Sequence, residues 1–141
     1  MLDQGFVLRK VLTDSFVLKP ELFDNTQKLN VDLGVRFGTI PKEKMITGQF
    51  HVTYRSGDNV FVSLQVTLHF LPGDALWQHL LSQPVHEKIL PRDVALFLGI
   101  ITMDTCRGVL HTCTEGTLVH NFHLPLLDLN SAIPSDVKLT M

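Results

Sequence analysis

Between Leu29 and Phe70 the chain alternates apolar and polar residues in three successive runs. A period of two kept up over stretches this long fits strands that bury one face and wet the other. In LNVDLGVRF, Leu29, Val31, Leu33, Val35 and Phe37 alternate with Asn30, Asp32, Gly34 and Arg36. GTIPKEK interrupts the pattern with Pro41 and a cluster of charges, and reads as a loop. Phe50, Val52 and Tyr54 then alternate with Gln49, His51, Thr53 and Arg55, RSGDN supplies turn residues, and a third run from Val60 to Phe70 completes a hairpin whose two apolar rows share a side. The N-terminal segment GFVLRKVLTDSFVLKP reads as a fourth strand, bent near Thr13 to Ser15. Both of its faces carry apolar residues, so a partner or a helix is expected to bury both.

A sheet with one apolar face needs a cover, and the second half of the chain must supply it. DALWQHLL places Leu76, Trp77, Leu80 and Leu81 at helical spacing behind Asp74, which suits an N-cap. In PRDVALFLGIITMDTCRG, Pro91 suits a first helical turn, Asp93 complements the helix N-terminus, and Gly108 suits the position just past the end, giving a helix of about 25 Å. Val94, Phe97, Leu98 and Ile101 form one stripe of this helix, and Ala95, Leu96, Ile100 and Met103 fill most of the rest. A helix apolar nearly all round is buried nearly all round. One domain of 141 residues has little with which to cover the far side, so an oligomer interface through Val94, Phe97, Leu98 and Ile101 is expected. After Gly108 the segment VLHTCTEGTLVHNFHLPLLDL mixes short apolar pieces with turn residues, and SAIPSDVKLTM has no clear period. The expected fold is α+β: a four-stranded antiparallel sheet covered on one face by a short and a long C-terminal helix, in a single domain over residues 1–141.

A formal charge of -2, with 18% charged residues, leaves no electrostatic footprint for nucleic acid or an anionic membrane surface. MLDQGFVLRK lacks the basic and apolar regions of a secretory signal, and no unbroken apolar run reaches the length of a membrane span, so a cytoplasmic protein with no membrane insertion is expected. Two cysteines do not make a disulfide framework.

The residues with most chemical potential lie close together. Cys106, His111, Cys113, His120 and His123 are zinc-ligand types, but their C-x4-H-x-C-x6-H-x2-H spacing lacks the close cysteine pair of structural sites, so no metal is expected. The bland account makes Cys106 a small buried residue of the helix. On an extended exit segment His111 and Cys113 would share a face, as a thiol nucleophile and its base require. The acids are scattered over turns and helix starts, and no glycine-rich phosphate loop or dinucleotide fingerprint occurs. No catalytic residue, cofactor or enzyme activity is expected.

Taken in order, Phe6, Leu8 and Arg9, then Asp14, Phe16 and Pro20, then Thr102 or Thr105 with Arg107 and Gly108, then Leu124, Pro125, Leu127 and Asp128 follow a pattern that resembles the SecB-type protein-export chaperones over roughly residues 6 to 130. The resemblance implies a dimer of dimers built around the long helices. It implies a holdase that binds unfolded or precursor polypeptides in apolar grooves and passes them to the SecA motor, with no cofactor. Phe16, Leu18, Leu22, Phe23, Trp77, Leu80 and Leu81 are the expected client-binding residues, with the loop-borne Leu22 and Phe23 the most suggestive. The family's motor-docking sheet face is strongly acidic. The corresponding positions here include Asn30, Asp32, Arg36, Gln49, His51, Arg55, Gln65 and His69, which brings in the alternative of a SecB-like module dedicated to one specific partner protein.

Overall fold

In the computed structural model, which describes residues 5–84, 88–117, 119 and 128–139, the alternating runs become β2 (Leu29–Ile40), β3 (Met45–Ser56) and β4 (Asn59–Leu71). The N-terminal segment becomes β1 (Val7–Leu18), and the four strands form one antiparallel sheet in the order β1-β4-β3-β2. The β3-β4 hairpin turns at Gly57, whose φ of 59° is cheap for a residue without Cβ. Register sets the faces: Phe50 lies opposite Val66 and Val52 opposite Leu64, so the apolar rows of both strands meet on one side. All four of these residues are fully buried.

β1 bends where the sequence suggested, with a register shift between Thr13 and Ser15 and a second between Leu8 and Lys10. Its expected cover does not come from the chain itself. Val7, Leu8, Val11, Leu12 and Val17 are all exposed, because α2 lies mainly over β3 and β4 and leaves most of this edge of the sheet uncovered.

α1 (Asp74–Leu81) directs Leu76, Trp77 and Leu80 into the core. Its N-cap is Gly73 rather than Asp74. Asp74 begins the first turn instead, where its charge favours the positive end of the helix.

α2 (Arg92–Thr114) crosses the inner face of the sheet over β3 and β4. It does not stop at Gly108. It runs a further six residues, for a total length of about 34 Å, because Leu110 and Thr114 continue the buried stripe of Leu98, Thr102 and Cys106. A mid-helix glycine costs only about 1 kcal/mol relative to alanine, less than burial of that stripe returns. The left-handed residue that ends the helix is Gly116, at φ 76°. By length and composition α2 could cross a membrane, yet 44% of its most apolar window is buried inside the fold.

Three small elements escape the sequence patterns: α3 (Leu129–Ala132), and β5 (Ile89–Leu90) paired with β6 (Val137–Lys138). Asp128 caps α3 by accepting a hydrogen bond from the Asn130 N–H at 3.1 Å. Arg92 ties this C-terminal segment to the start of α2, donating from Nε to the Ile133 carbonyl at 2.7 Å and from Nη2 to Asn130 Oδ1 at 3.2 Å. Its own backbone N–H is accepted by Asp136 Oδ1 at 2.9 Å. Arg92→Ala is expected to lower stability by about 1–2 kcal/mol, less than a fully buried charged bond because the group is partly solvated. Amide exchange over 129–139 should accelerate ahead of the sheet amides; uniform acceleration across the chain would contradict this local role.

Candidate functional site

Surface-seeking and core-seeking residues part company on the two sides of α2. Val94 and Leu98 are fully buried against the sheet, whereas Phe97 and Ile100 are 40% and 49% exposed and Ile101 is half-buried. The four stripe residues therefore divide: two already lie inside their own chain, and two remain able to meet something else. Phe97 reaches toward β1, its ring centroid 6.0 Å from that of Phe6.

Cross-strand pairing shows which edge residues share the inner face with the core. On β1, Leu8 lies opposite Phe70 and Val11 opposite Leu68; on β2, Val31 lies opposite Tyr54 and Leu29 opposite Ser56. Each faces the same way as a buried partner, yet all four are exposed. α2 is about 10 Å wide and the sheet spans four strands nearly 5 Å apart, so a single helix over the centre leaves an apolar ledge on each flank. The sequence reading missed these ledges as surface, because an alternating strand looks the same whether or not a helix covers it.

Of the residues expected to bind a client, Phe16, Leu18, Leu22 and Phe23 are half-buried and pack against the core. Phe23 stacks obliquely on Phe61 with centroids 5.2 Å apart, so the loop-borne aromatic is anchored on the fold. Trp77 and Leu80 are buried, and Leu81, at 50% exposure, is the one α1 residue of the set that faces outward. The structure thus brings Phe16, Leu18, Leu22 and Phe23 to one end of the sheet and sets Leu81 on a separate helix.

Apart from Val7, Leu12 and Val17 on β1, the opposite face of the sheet is polar. Arg36 donates to Gln49 Oε1, Gln49 Nε2 donates to Thr67 Oγ1 at 3.2 Å, and the Thr67 hydroxyl donates to Asp14, a chain of bonds that crosses all four strands. Asp32 pairs with Arg55. Asp32 is thus compensated by a guanidinium, whereas Asp14 accepts from neutral groups and keeps its charge. A depression of about 430 Å³ lies beside this chain, lined by Gly34, Val35, Arg36, His51 and Gln65.

The Cys and His cluster is dispersed. His111 and Cys113 both lie on α2, where two positions turn through about 200°, so they do not share a face as an extended segment would have required. His120 and His123 lie outside the described residues. Among the described residues no group of three or more His, Cys, Asp and Glu converges as a metal site.

Cys106 is buried, and burial pushes its thiol up to about 12 against a weaker opposing pull from Arg107. Burial, and then the neighbouring Cys106, push the Tyr54 phenol up to about 12 as well. At neutral pH Cys106 is a thiol and no nucleophile. Both groups favour their protonated forms in the fold, so their stabilising contribution is complete below the unfolded thiol value of 9.0 and is lost as pH rises toward about 12. Near-ultraviolet circular dichroism is expected to report loss of tertiary structure across that interval, with Cys106→Ala moving the loss to higher pH; an unchanged midpoint would show that the thiol does not contribute.

No family model matches the chain, and no curated protein matches it. Among solved structures the chain is similar to a SecB-like chaperone of Mycobacterium tuberculosis in complex with a ChAD peptide from the HigA1 antitoxin. That likeness has 8% sequence identity and a TM-score of 0.48, and covers 87% of this chain and 91% of that one.

Proposed function

We propose that this protein is a non-enzymatic, polypeptide-binding chaperone of SecB-like type, acting as a homo-oligomer that holds unfolded segments of other proteins against aggregation. The observation that carries the reading is the pair of apolar ledges flanking α2, with Leu8 and Val11 on one side, Leu29 and Val31 on the other, and Phe97 and Ile100 on the helix between. Exposed apolar surface on this scale in a small domain marks binding to other chains. An unfolded segment offers scattered apolar side chains that such ledges can bury without strict sequence preference.

Two kinds of cover are needed, and they divide between the two edges. β1 is apolar on both faces, with Leu8 and Val11 inward and Leu12 and Val17 outward, which suits enclosure by another copy of the chain. The surface left after assembly serves the client, with Phe16, Leu18, Leu22 and Phe23 at the end of the sheet and Leu81 on α1 contributing to it. A tetramer arranged as a dimer of dimers is the assembly favoured here.

Light scattering combined with an aggregation assay on a chemically unfolded model protein tests this reading. The expected result is a mass of about four chains and suppression of aggregation without nucleotide. A monomer that leaves aggregation unchanged sinks it.

The mixed charge of the polar face, where Arg36 and Arg55 stand among Asp14 and Asp32, favours a dedicated-partner reading over delivery to an export motor, since a basic docking segment would meet cations as well as acids. Recovery of one partner in fixed stoichiometry, rather than a spread of unfolded proteins, supports that narrower form.

A further inference from the structure

We propose that the free edge of β2 between Leu29 and Arg36 takes up an extended stretch of client polypeptide as a fifth strand, with an acidic residue of that stretch facing Arg36. This rests on the polypeptide-binding reading and specifies how the client is held: by backbone pairing as well as by apolar contact.

β2 is an outer strand of the sheet, so alternate residues turn their N–H and C=O groups away from β3. Among the described residues, none hydrogen-bonds that outer edge between 29 and 36. Exposed edges invite pairing, and proteins usually blunt them with bulges, prolines or lysines. β2 has none of these in that stretch, and its pairing with β3 is uninterrupted from Leu29 to Ile40. β1, the other edge, carries two register shifts and two apolar faces, which fits it for enclosure in an assembly and leaves β2 as the regular, open template.

The side chains of β2 define the chemistry of the occupant. Leu29, Val31, Leu33 and Val35 point to the inner face and are exposed or half-buried, so a fifth strand laid beside them would extend the apolar ledge with its own alternate residues. On the outer face Asp32 is already paired with Arg55, whereas Arg36 meets only the neutral amide of Gln49 and no carboxylate among the described residues. The depression beside Arg36 is lined by Gly34, Val35, His51 and Gln65, with the His51 ring packed over Gly34 where a side chain would otherwise project. An incoming Glu or Asp there would gain a charge-assisted bond to the guanidinium. The occupant is therefore an extended, alternating segment with an acid on its polar side.

Amide hydrogen exchange of the full-length protein, read by NMR, tests this with a synthetic peptide of about ten residues that alternates Val and Thr and carries one Glu. The expected result is slowing of every second amide from 29 to 36 by about tenfold, with protection lost when the peptide is N-methylated at alternate positions and affinity reduced several-fold when Glu becomes Lys. Binding without alternate protection, or equal binding by the N-methylated peptide, overturns strand addition. Protection that exists without peptide and grows with protein concentration assigns the edge to a second copy and also overturns it. If unfolded proteins are still held while β2 stays unprotected, only this inference fails; if nothing is held, the polypeptide-binding reading fails with it.

Discussion

Leu98→Ala is expected to lower the unfolding free energy by about 2–5 kcal/mol, while Phe97→Asp, one residue earlier, leaves the fold of the single chain intact and breaks its assembly. Leu98 is fully enclosed between α2 and the sheet, so truncation loses both transfer free energy and contacts around the cavity left behind. Phe97 turns out of the core toward Phe6 on the uncovered flank of β1. A carboxylate there is solvated in the isolated chain but would have to be desolvated against an apolar neighbour in an oligomer. Denaturant unfolding and light scattering separate the two effects. A Leu98→Ala protein of unchanged midpoint would contradict the packing, and an oligomer that survives Phe97→Asp would show that this flank of α2 is not where copies meet.

The second large effect is expected at Gly48. A methyl group there would sit 2.5 Å from Thr102 Oγ1 and 3.4 Å from the Phe70 ring, so the strand and α2 approach closely because this position has no side chain. Glycine within a strand is ordinarily unfavourable, and Gly→Ala at an unhindered site of compatible backbone would stabilise. Gly48→Val is instead expected to cost about 3 kcal/mol by forcing the helix outward, with Gly48→Ala costing less. The Gly48→Ala loss should be relieved by Thr102→Ala, which removes the closest atom and leaves Thr102 Cβ, at 3.6 Å, as ordinary contact. Additivity of the two substitutions would show that the clash is not what makes glycine necessary.

These two sites mark the reach of sequence reasoning. The alternating runs prescribed the strands, their hairpin and the face on which Phe50, Val52, Leu64 and Val66 meet, because a period of two is a property of the extended backbone wherever it is placed. The bend in β1 near Asp14 and the existence of both main helices were legible for similar local reasons. The end of α2 was not. Gly108 and Gly116 carry the same local signal, and burial of Leu110 and Thr114 across the intervening turn selects the later one. The two-residue pairing of Ile89–Leu90 with Val137–Lys138 joins segments far apart in the chain and too short to show any period.

The candidate surface divides in the same way. Apolar character at Val94, Phe97, Leu98 and Ile101 is written in the residues, and so is the need for some cover over a helix that is apolar nearly all round. Which of them meets the sheet is decided by the rotation of α2 about its axis, and that depends on Gly48 admitting Thr102 and on Gly99 packing against Phe37, Leu129 and Ile133. Likewise, Leu29 and Val31 have the same inward pattern as Phe50 and Val52, and only the limited width of one helix over four strands leaves the first pair open and encloses the second. Local periodicity determines which side of an element is apolar; whether that side becomes core or binding surface depends on how much of it the rest of the chain can reach.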